Sequence, residues 1–217
     1  VRLGNWDSGG YGQSVTYTIR VTEDVGVLQV KYAVVSQSGG HARPEQPTFY
    51  LEILGMNNNQ LSPTCGVADF RPPTSGMAEG WHIGSESDMY WREWTTIGIN
   101  LQDYIGQDVK VRIRTSGCSP TAHWGYGYFT LGCSSGEIIG VTCGEKPRTL
   151  AVDPGFKYRW YKPNNPDEPF YAGQDSTAQE LYIASNDSNL YACDLISLAN
   201  EECYFTLRAS AMARYPK

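Results

Sequence analysis

The feature that most restricts what this chain can fold into is a two-residue alternation that keeps returning. Val15, Tyr17, Ile19 and Val21 alternate with Thr and Arg, and Leu28, Val30, Tyr32 and Val34 repeat the pattern. Further sets are Phe49, Leu51 and Ile53, then Ile97, Ile99 and Leu101, then Val109, Val111 and Ile113. Trp124, Tyr126 and Tyr128 alternate with Gly125, Gly127 and Phe129. Successive side chains of a strand point to opposite faces, so each run predicts one buried face and one wet face. Lys110, Arg112 and Arg114 fit the wet face of the fifth run. No segment carries a helical apolar stripe, and 23 Gly and 12 Pro would interrupt most candidates. The expected fold class is all-β.

Turn residues fill the intervals. Gln37 to Pro47 contains Gly39, Gly40, Pro44 and Pro47, and Asn57 to Gly80 contains Pro63, Pro72, Pro73 and Gly76. A loop as long as the second is unusual in a compact domain unless it is functional or tied down, and Cys65 is the residue expected to tie it. Ser134-Ser135-Gly136 reads as a linker. After it, short apolar runs at Ile138–Cys143, Thr149–Val152, Tyr158–Tyr161, Leu181–Ile183, Tyr191–Cys193 and Cys203–Leu207 have the turn-punctuated spacing of a β-sandwich. The chain therefore divides into residues 1–135 and a smaller domain over 136–217. The tail from Ser210 to Lys217 is expected to be a stub leading to a further domain.

The net charge is −6 and no Lys/Arg block exists, so nucleic acid is not an expected partner. No apolar run approaches transmembrane length, and membrane insertion is not expected. The chain begins at Val1 without a Met or a signal-type apolar segment, as a processed or excised piece would. Its six cysteines, Cys65, Cys118, Cys133, Cys143, Cys193 and Cys203, form no closely spaced pair of the kind zinc ribbons use. An even count at wide spacing makes all six disulfide candidates and implies an oxidising compartment, hence an extracellular or cell-surface protein. Cys143, Trp160 and Cys193 stand in the order of an immunoglobulin-like domain, and Tyr191-x-Cys193 resembles its tyrosine corner. Cys203 competes for Cys143. In that case Cys193 is left for Cys133, and the two domains are stapled covalently.

Trp94-Thr95-Thr96-Ile97-Gly98-Ile99-Asn100-Leu101 leads into Tyr104-Ile105-Gly106-Gln107-Asp108-Val109. This pattern resembles the penultimate-strand region of jelly-roll domains of the MAM and carbohydrate-binding type. With Arg2-Leu3-Gly4-Asn5, Gly40-His41, Gln46-Pro47 and His123-Trp124-Gly125-Tyr126-Gly127-Tyr128, residues 1 to about 135 look more specifically like a module of large multidomain cell-surface proteins of Bacteroidetes. The resemblance implies a jelly-roll β-sandwich followed by an immunoglobulin- or PKD-like sandwich, with flanking domains of a larger polypeptide as neighbours. It also implies a structural calcium held by an acidic residue of the last strand. Here Phe129-Thr130-Leu131-Gly132 has no carboxylate, and Gln13 and Ser14 stand where a Glu is expected, so calcium remains open and no other cofactor is expected.

Trp81, Tyr90, Trp91 and Trp94 cluster in sequence around Glu86 and Asp88. Aromatic faces beside carboxylates suit stacking on sugar rings and accepting hydroxyl hydrogen bonds. Trp81, Glu86, Asp88, Tyr90 and Trp91 are therefore ligand-binding candidates, with His41 and His123 added because they fall in the resembling motifs. The alternative for the rings is a place in the core, since alternation must bury half of them. The three histidines, His41, His82 and His123, lack metal-ligand spacing, so no metal site is expected. No catalytic residue is expected either, because no complete set of acid, base and nucleophile is present. The expected function is a non-catalytic glycan-binding or adhesive module, with a glycan or host-matrix surface as partner and the second domain as spacer. A purely structural stalk segment and a glycoside hydrolase or its accessory domain are the alternatives.

Overall fold

A computed structural model of the chain describes residues 1–86, 88–141, 148–165, 168, 170, 174–184, 187 and 189–211. The alternating runs form the long strands of a sandwich built from β1 (Arg2–Asn5), β2 (Gly12–Arg20), β3 (Val27–Gln37), β4 (Thr48–Leu54), β5 (Val67–Phe70), β6 (His82–Ile83), β7 (Met89–Asn100), β8 (Asp108–Ser116) and β9 (Gly125–Ser134). One sheet has the order β1-β9-β3-β7-β6 and the other β2-β8-β4-β5. Consecutive strands cross repeatedly between the two sheets, which is the interleaved Greek-key order of a jelly roll. β1, β5 and β6 are the strands the alternation did not reveal, being too short to show a period.

Alternation on β8 behaves as the sequence implies. Val109, Val111 and Ile113 are fully buried. On the other face, Arg112 pairs with Glu52 at 2.7 Å, and the Arg114 guanidinium lies 4.4 Å from the centre of the Tyr50 ring. The core centres on Tyr32, whose ring stacks on Phe49 at 5.7 Å and on Phe70 at 4.3 Å.

The second sandwich contains β10 (Ile139–Val141), β11 (Arg148–Ala151), β12 (Phe156–Tyr161), β13 (Glu180–Ile183), β14 (Leu190–Ser197) and β15 (Tyr204–Ser210). Its sheets, β10-β11-β13 and β12-β14-β15, have the A-B-E and C-F-G orders of an immunoglobulin-like fold. Trp160 of β12 is 2% exposed and its indole N–H donates to the Ala178 carbonyl at 2.9 Å. The Tyr191 hydroxyl donates to the Asp187 carboxylate four residues upstream at 2.6 Å, the position of a tyrosine corner with a side chain in place of the backbone acceptor. Tyr191→Phe is expected to cost about 1–3 kcal/mol, because the buried carboxylate loses a donor; equilibrium urea unfolding measures it. β15 continues through Ser210, and Ala211 is buried with its N–H bonded to the Asn189 carbonyl, so the expected tail does not begin at Ser210.

The disulfide pairing differs from both sequence readings. Cys65 bonds to Cys203, while Cys118, Cys133 and Cys193 are free thiols. Cys133 is exposed and Cys193 is fully buried inside the second core, so the two cannot meet. Cys143 lies outside the described residues. The expected staple between the halves exists, but it joins the β4–β5 loop to the β14–β15 turn. A disulfide of this kind is at home in an oxidising compartment. Among the described residues no helix is long and apolar enough to cross a membrane.

The halves also pack directly. The Gly98 N–H donates to the Gly155 carbonyl at 2.9 Å, and Gln29 donates to Asp153 at 3.1 Å. Gly155 has φ +97°, and a Cβ there would lie 2.6 Å from the Gly98 nitrogen. Gly155→Ala is therefore expected to cost about 1–3 kcal/mol through backbone strain and collision at the junction, measured as a lowered denaturant midpoint.

Burial pushes two groups far up. The Cys193 thiol rises to about 12, chiefly by desolvation. The Tyr32 phenol also rises to about 12 by desolvation, which outweighs the Arg92 guanidinium beside it. Both folded values exceed the unfolded ones, roughly 8.5 and 10. Their stabilisation is complete below those unfolded values and is lost as pH rises toward 12. Alkaline unfolding followed by circular dichroism should therefore set in above about pH 9, and Cys193→Ala should delay it.

Candidate functional site

The solvent face of the five-stranded sheet carries an inverted pattern. On β9 it is Gly125, Gly127 and Phe129 that are buried, while Trp124, Tyr126 and Tyr128 face outward. Gly127 lies beneath the Phe49 ring, where a Cβ would come within 2.4 Å of the ring edge. Large rings in water above buried glycines are a departure from ordinary burial, and such departures are the informative ones.

Across the sheet, β7 adds a second row by means of a bulge. β3 pairs Tyr32 with Thr95 and Val34 with Arg92, so Glu93 and Trp94 together oppose Ala33. The extra residue shifts the phase: Tyr90 points in before it, and Ile97 and Ile99 point in after it. Trp91 and Trp94, three residues apart, thereby reach the same outer face. A bulge re-aims side chains in this way.

Between the rows runs β3, whose outward residues Ala33 and Val35 are small. Ala33 is paired with Tyr128, and Val35 with both Tyr126 and Trp91. Small residues on the middle strand and rings on its neighbours make a trough of about 470 Å³, with Glu93 adding charge to its lining. Trp94 is 52% exposed and Tyr128 39% exposed, and their centroids are 6.4 Å apart. The rings continue through Tyr126, edge-on to Tyr128 at 6.0 Å and stacked on Trp124 at 5.8 Å. Trp6 is 62% exposed, and the Arg2 guanidinium lies 4.7 Å from its ring centre and 4.8 Å from that of Tyr126. Burial and the neighbouring Tyr128 raise the Tyr126 phenol above its ordinary value against the opposing effect of Arg2, so it stays a hydroxyl donor at neutral pH.

The sequence candidates separate on this frame. Trp81 and Tyr90 are 6% and 7% exposed and belong to the core, so they are not available to a ligand. Arg92 lies over Trp81 at 5.4 Å and over Phe70 at 5.3 Å. Trp91 lines the trough and stacks on His82 at 4.4 Å. Glu86 and Asp88 are exposed in the turn before β7, where their backbone carbonyls accept from Met89 and Ser38. Neither is among the residues lining the trough. His41 and His123 meet each other at 3.2 Å at the end of the sandwich. Burial, then the neighbouring His41, lowers the His123 imidazole below its ordinary value, and Asp88 opposes this.

No protein-family model matches the chain, and no curated protein matches it. Among solved structures, the glycoside hydrolase domain of Endo-D from Streptococcus pneumoniae R6 aligns with 97% of this chain at 10% identity and a TM-score of 0.29. The chain spans 33% of that structure's length. A likeness this remote carries no conclusion about fold or function.

Chemically, the trough offers what an open carbohydrate site uses. Exposed ring faces accept the apolar faces of pyranose rings, while Glu93 and the Tyr hydroxyls offer hydrogen bonds at the margins. Trp94 and Tyr128, which line the trough, and Tyr126, which adjoins Tyr128, are residues that the sequence reading did not single out as ligand candidates; for the two tyrosines a signal was present. That signal was the Gly-x-Gly alternation of β9, which says which face must be inside.

Proposed function

We propose that this chain is a non-catalytic binding module of an exported, multidomain surface protein, and that the trough between Trp91 and Trp94 on one side and Tyr126 and Tyr128 on the other binds glycan. The observation that carries this reading is the pair of aromatic rows on the outer sheet face, with Trp94 and Tyr128 exposed and Trp91 and Tyr126 half-buried beside the small Ala33 and Val35. Export is supported by the Cys65–Cys203 bridge. The immunoglobulin-like half then serves as a spacer held at a fixed angle by that bridge and by the Gly98–Gly155 contact.

The stalk reading has one observation in its favour, the covalent and packed junction, which suits a rigid segment. It also expects Trp81, Tyr90 and Trp91 all to be buried with no concave patch; Trp81 and Tyr90 are buried, whereas Trp91 is half-buried and lines the trough. A glycan array probed with the folded, oxidised chain distinguishes the readings. Binding to a related set of oligosaccharides is expected. A blank array from protein whose folding has been verified would favour the stalk.

A further inference from the structure

At the end of the jelly roll, three side chains distant in sequence bring their donor atoms together. His41 Nε2 lies 3.2 Å from His123 Nδ1, and Cys118 Sγ lies 3.3 Å from the same nitrogen. One donor atom from each residue falls within 4.8 Å of the other two. Cys118 is fully buried and both imidazoles are half-buried.

Local structure sets this up. The Cys118 N–H donates to the His123 carbonyl at 3.0 Å, and the Thr121 N–H donates to the Cys118 carbonyl at 3.0 Å. The chain between them turns through Thr121 at φ +67°. The turn brings the His123 backbone N–H to Cys118 Sγ at 3.1 Å. An N–H aimed at sulfur stabilises a thiolate, which is the ligating form of cysteine. His41 arrives from the β3–β4 loop past Gly39. A Cβ at position 39 would lie 2.3 Å from His123 Nδ1 and 2.4 Å from His41 Nε2, so only glycine leaves the space between the two nitrogens open.

Hydrogen bonding alone accounts poorly for this meeting. A neutral imidazole nitrogen has either one proton or one lone pair. His123 Nδ1 would have to serve His41 and Cys118 at once. A shared cation resolves the conflict, because each residue then supplies a lone pair to a common centre.

We infer that His41, Cys118 and His123 form a binding site for a borderline-soft transition-metal ion, with Zn²⁺ the best fit to two imidazoles and one thiolate. Zn–N bonds of about 2.0–2.1 Å and a Zn–S bond of about 2.3 Å at tetrahedral angles require N···N and N···S edges of about 3.3 and 3.6 Å. The His41–His123 and Cys118–His123 edges are 3.2 and 3.3 Å; the three donor atoms together span up to 4.8 Å, so His41 and Cys118 must close by about 1 Å on the ion. Two imidazoles aimed at one such centre have ring centroids about 5 Å apart, and here they are 5.0 Å apart with planes inclined at 62°. Calcium does not suit this donor set, since it prefers oxygen ligands. Three protein ligands leave a fourth position for water. The ion ties the β3–β4 loop to the β8–β9 loop, next to Trp124. A nucleophilic thiol–imidazole pair is disfavoured by the complete burial of Cys118.

The test uses the whole folded 217-residue chain, stripped with chelator and titrated with Zn²⁺ alone and with Co²⁺ alone. One equivalent of either is expected to bind. The cobalt form should show a thiolate-to-metal charge-transfer band and the visible absorption of a tetrahedral site. Cys118→Ser should abolish that band and weaken Zn²⁺ at least about 100-fold, and His41→Gln should weaken it at least about tenfold. Cys133→Ser, which removes an exposed thiol elsewhere, should change neither. Because the cobalt spectrum is read on the unaltered chain, a variant that fails to fold does not block the test. Absence of the band and of Zn²⁺ binding in the folded, reduced chain would overturn the site. So would metal binding that survives Cys118→Ser, or rapid alkylation of Cys118 in the native protein that His123→Ala suppresses.

Discussion

Cys203→Ser is expected to lower the unfolding free energy by about 2–4 kcal/mol and to separate one thermal transition into two. The bridge joins residues 138 apart in sequence. Chain-entropy arguments for a loop of that length give about 5 kcal/mol at most. The full amount is not expected, because the Gly98–Gly155 and Gln29–Asp153 hydrogen bonds hold the halves together without it. Scanning calorimetry of the oxidised, reduced and Cys203→Ser chains reads the effect. Cys65→Ser should match Cys203→Ser, and the double variant should lose no more than either alone, as expected for two halves of one interaction. An unchanged single transition in Cys203→Ser would mean that the junction is held entirely by its non-covalent contacts.

Trp160→Ala is expected to cost about 3–5 kcal/mol, the largest effect of any single core truncation in the second sandwich. Its indole fills the centre of that smaller core, with Leu181, Tyr191, Cys193 and Leu195 among the fully buried residues of the same cluster. Truncation leaves a cavity and also strips the Ala178 carbonyl of its indole donor. Trp160→Phe keeps much of the volume but not the N–H, so it should recover part of the loss and leave about 1–2 kcal/mol. Because the core concerned is small, the alanine variant should unfold the second sandwich at a temperature where the jelly roll persists. Near-ultraviolet circular dichroism alongside calorimetry distinguishes the two.

The fold was legible where strands are long and wet on one side. Val109, Val111 and Ile113 against Lys110, Arg112 and Arg114 stated the face of β8 outright. β5 and β6 were not legible, because strands of four and two residues are too short to show a period. The aromatic site was half legible. The sequence offers Trp81, Tyr90 and Trp91 alike as ligand candidates, and the first two lie in the core; the bulge at Glu93–Trp94 could not be read, and without it strict alternation puts Trp94 on the opposite face from Trp91. The pairing of Cys65 with Cys203 depends on how the two halves pack, which no local pattern encodes. The meeting of His41, Cys118 and His123 was hidden for the same reason: Cys118 and His123 are joined by a turn, but His41 comes from a loop 77 positions earlier than Cys118 in the numbering.

The two rows of rings are proposed to form one binding surface. The most direct test is isothermal titration of the strongest array ligand into the parent chain, Trp94→Ala and Tyr128→Ala. Both side chains are well exposed, so neither change should disturb folding. Each wall should weaken binding at least about tenfold, or ~1.4 kcal/mol, with thermal midpoints close to that of the parent. Affinity unchanged in both variants would place the ligand elsewhere and contradict a site between the two rows.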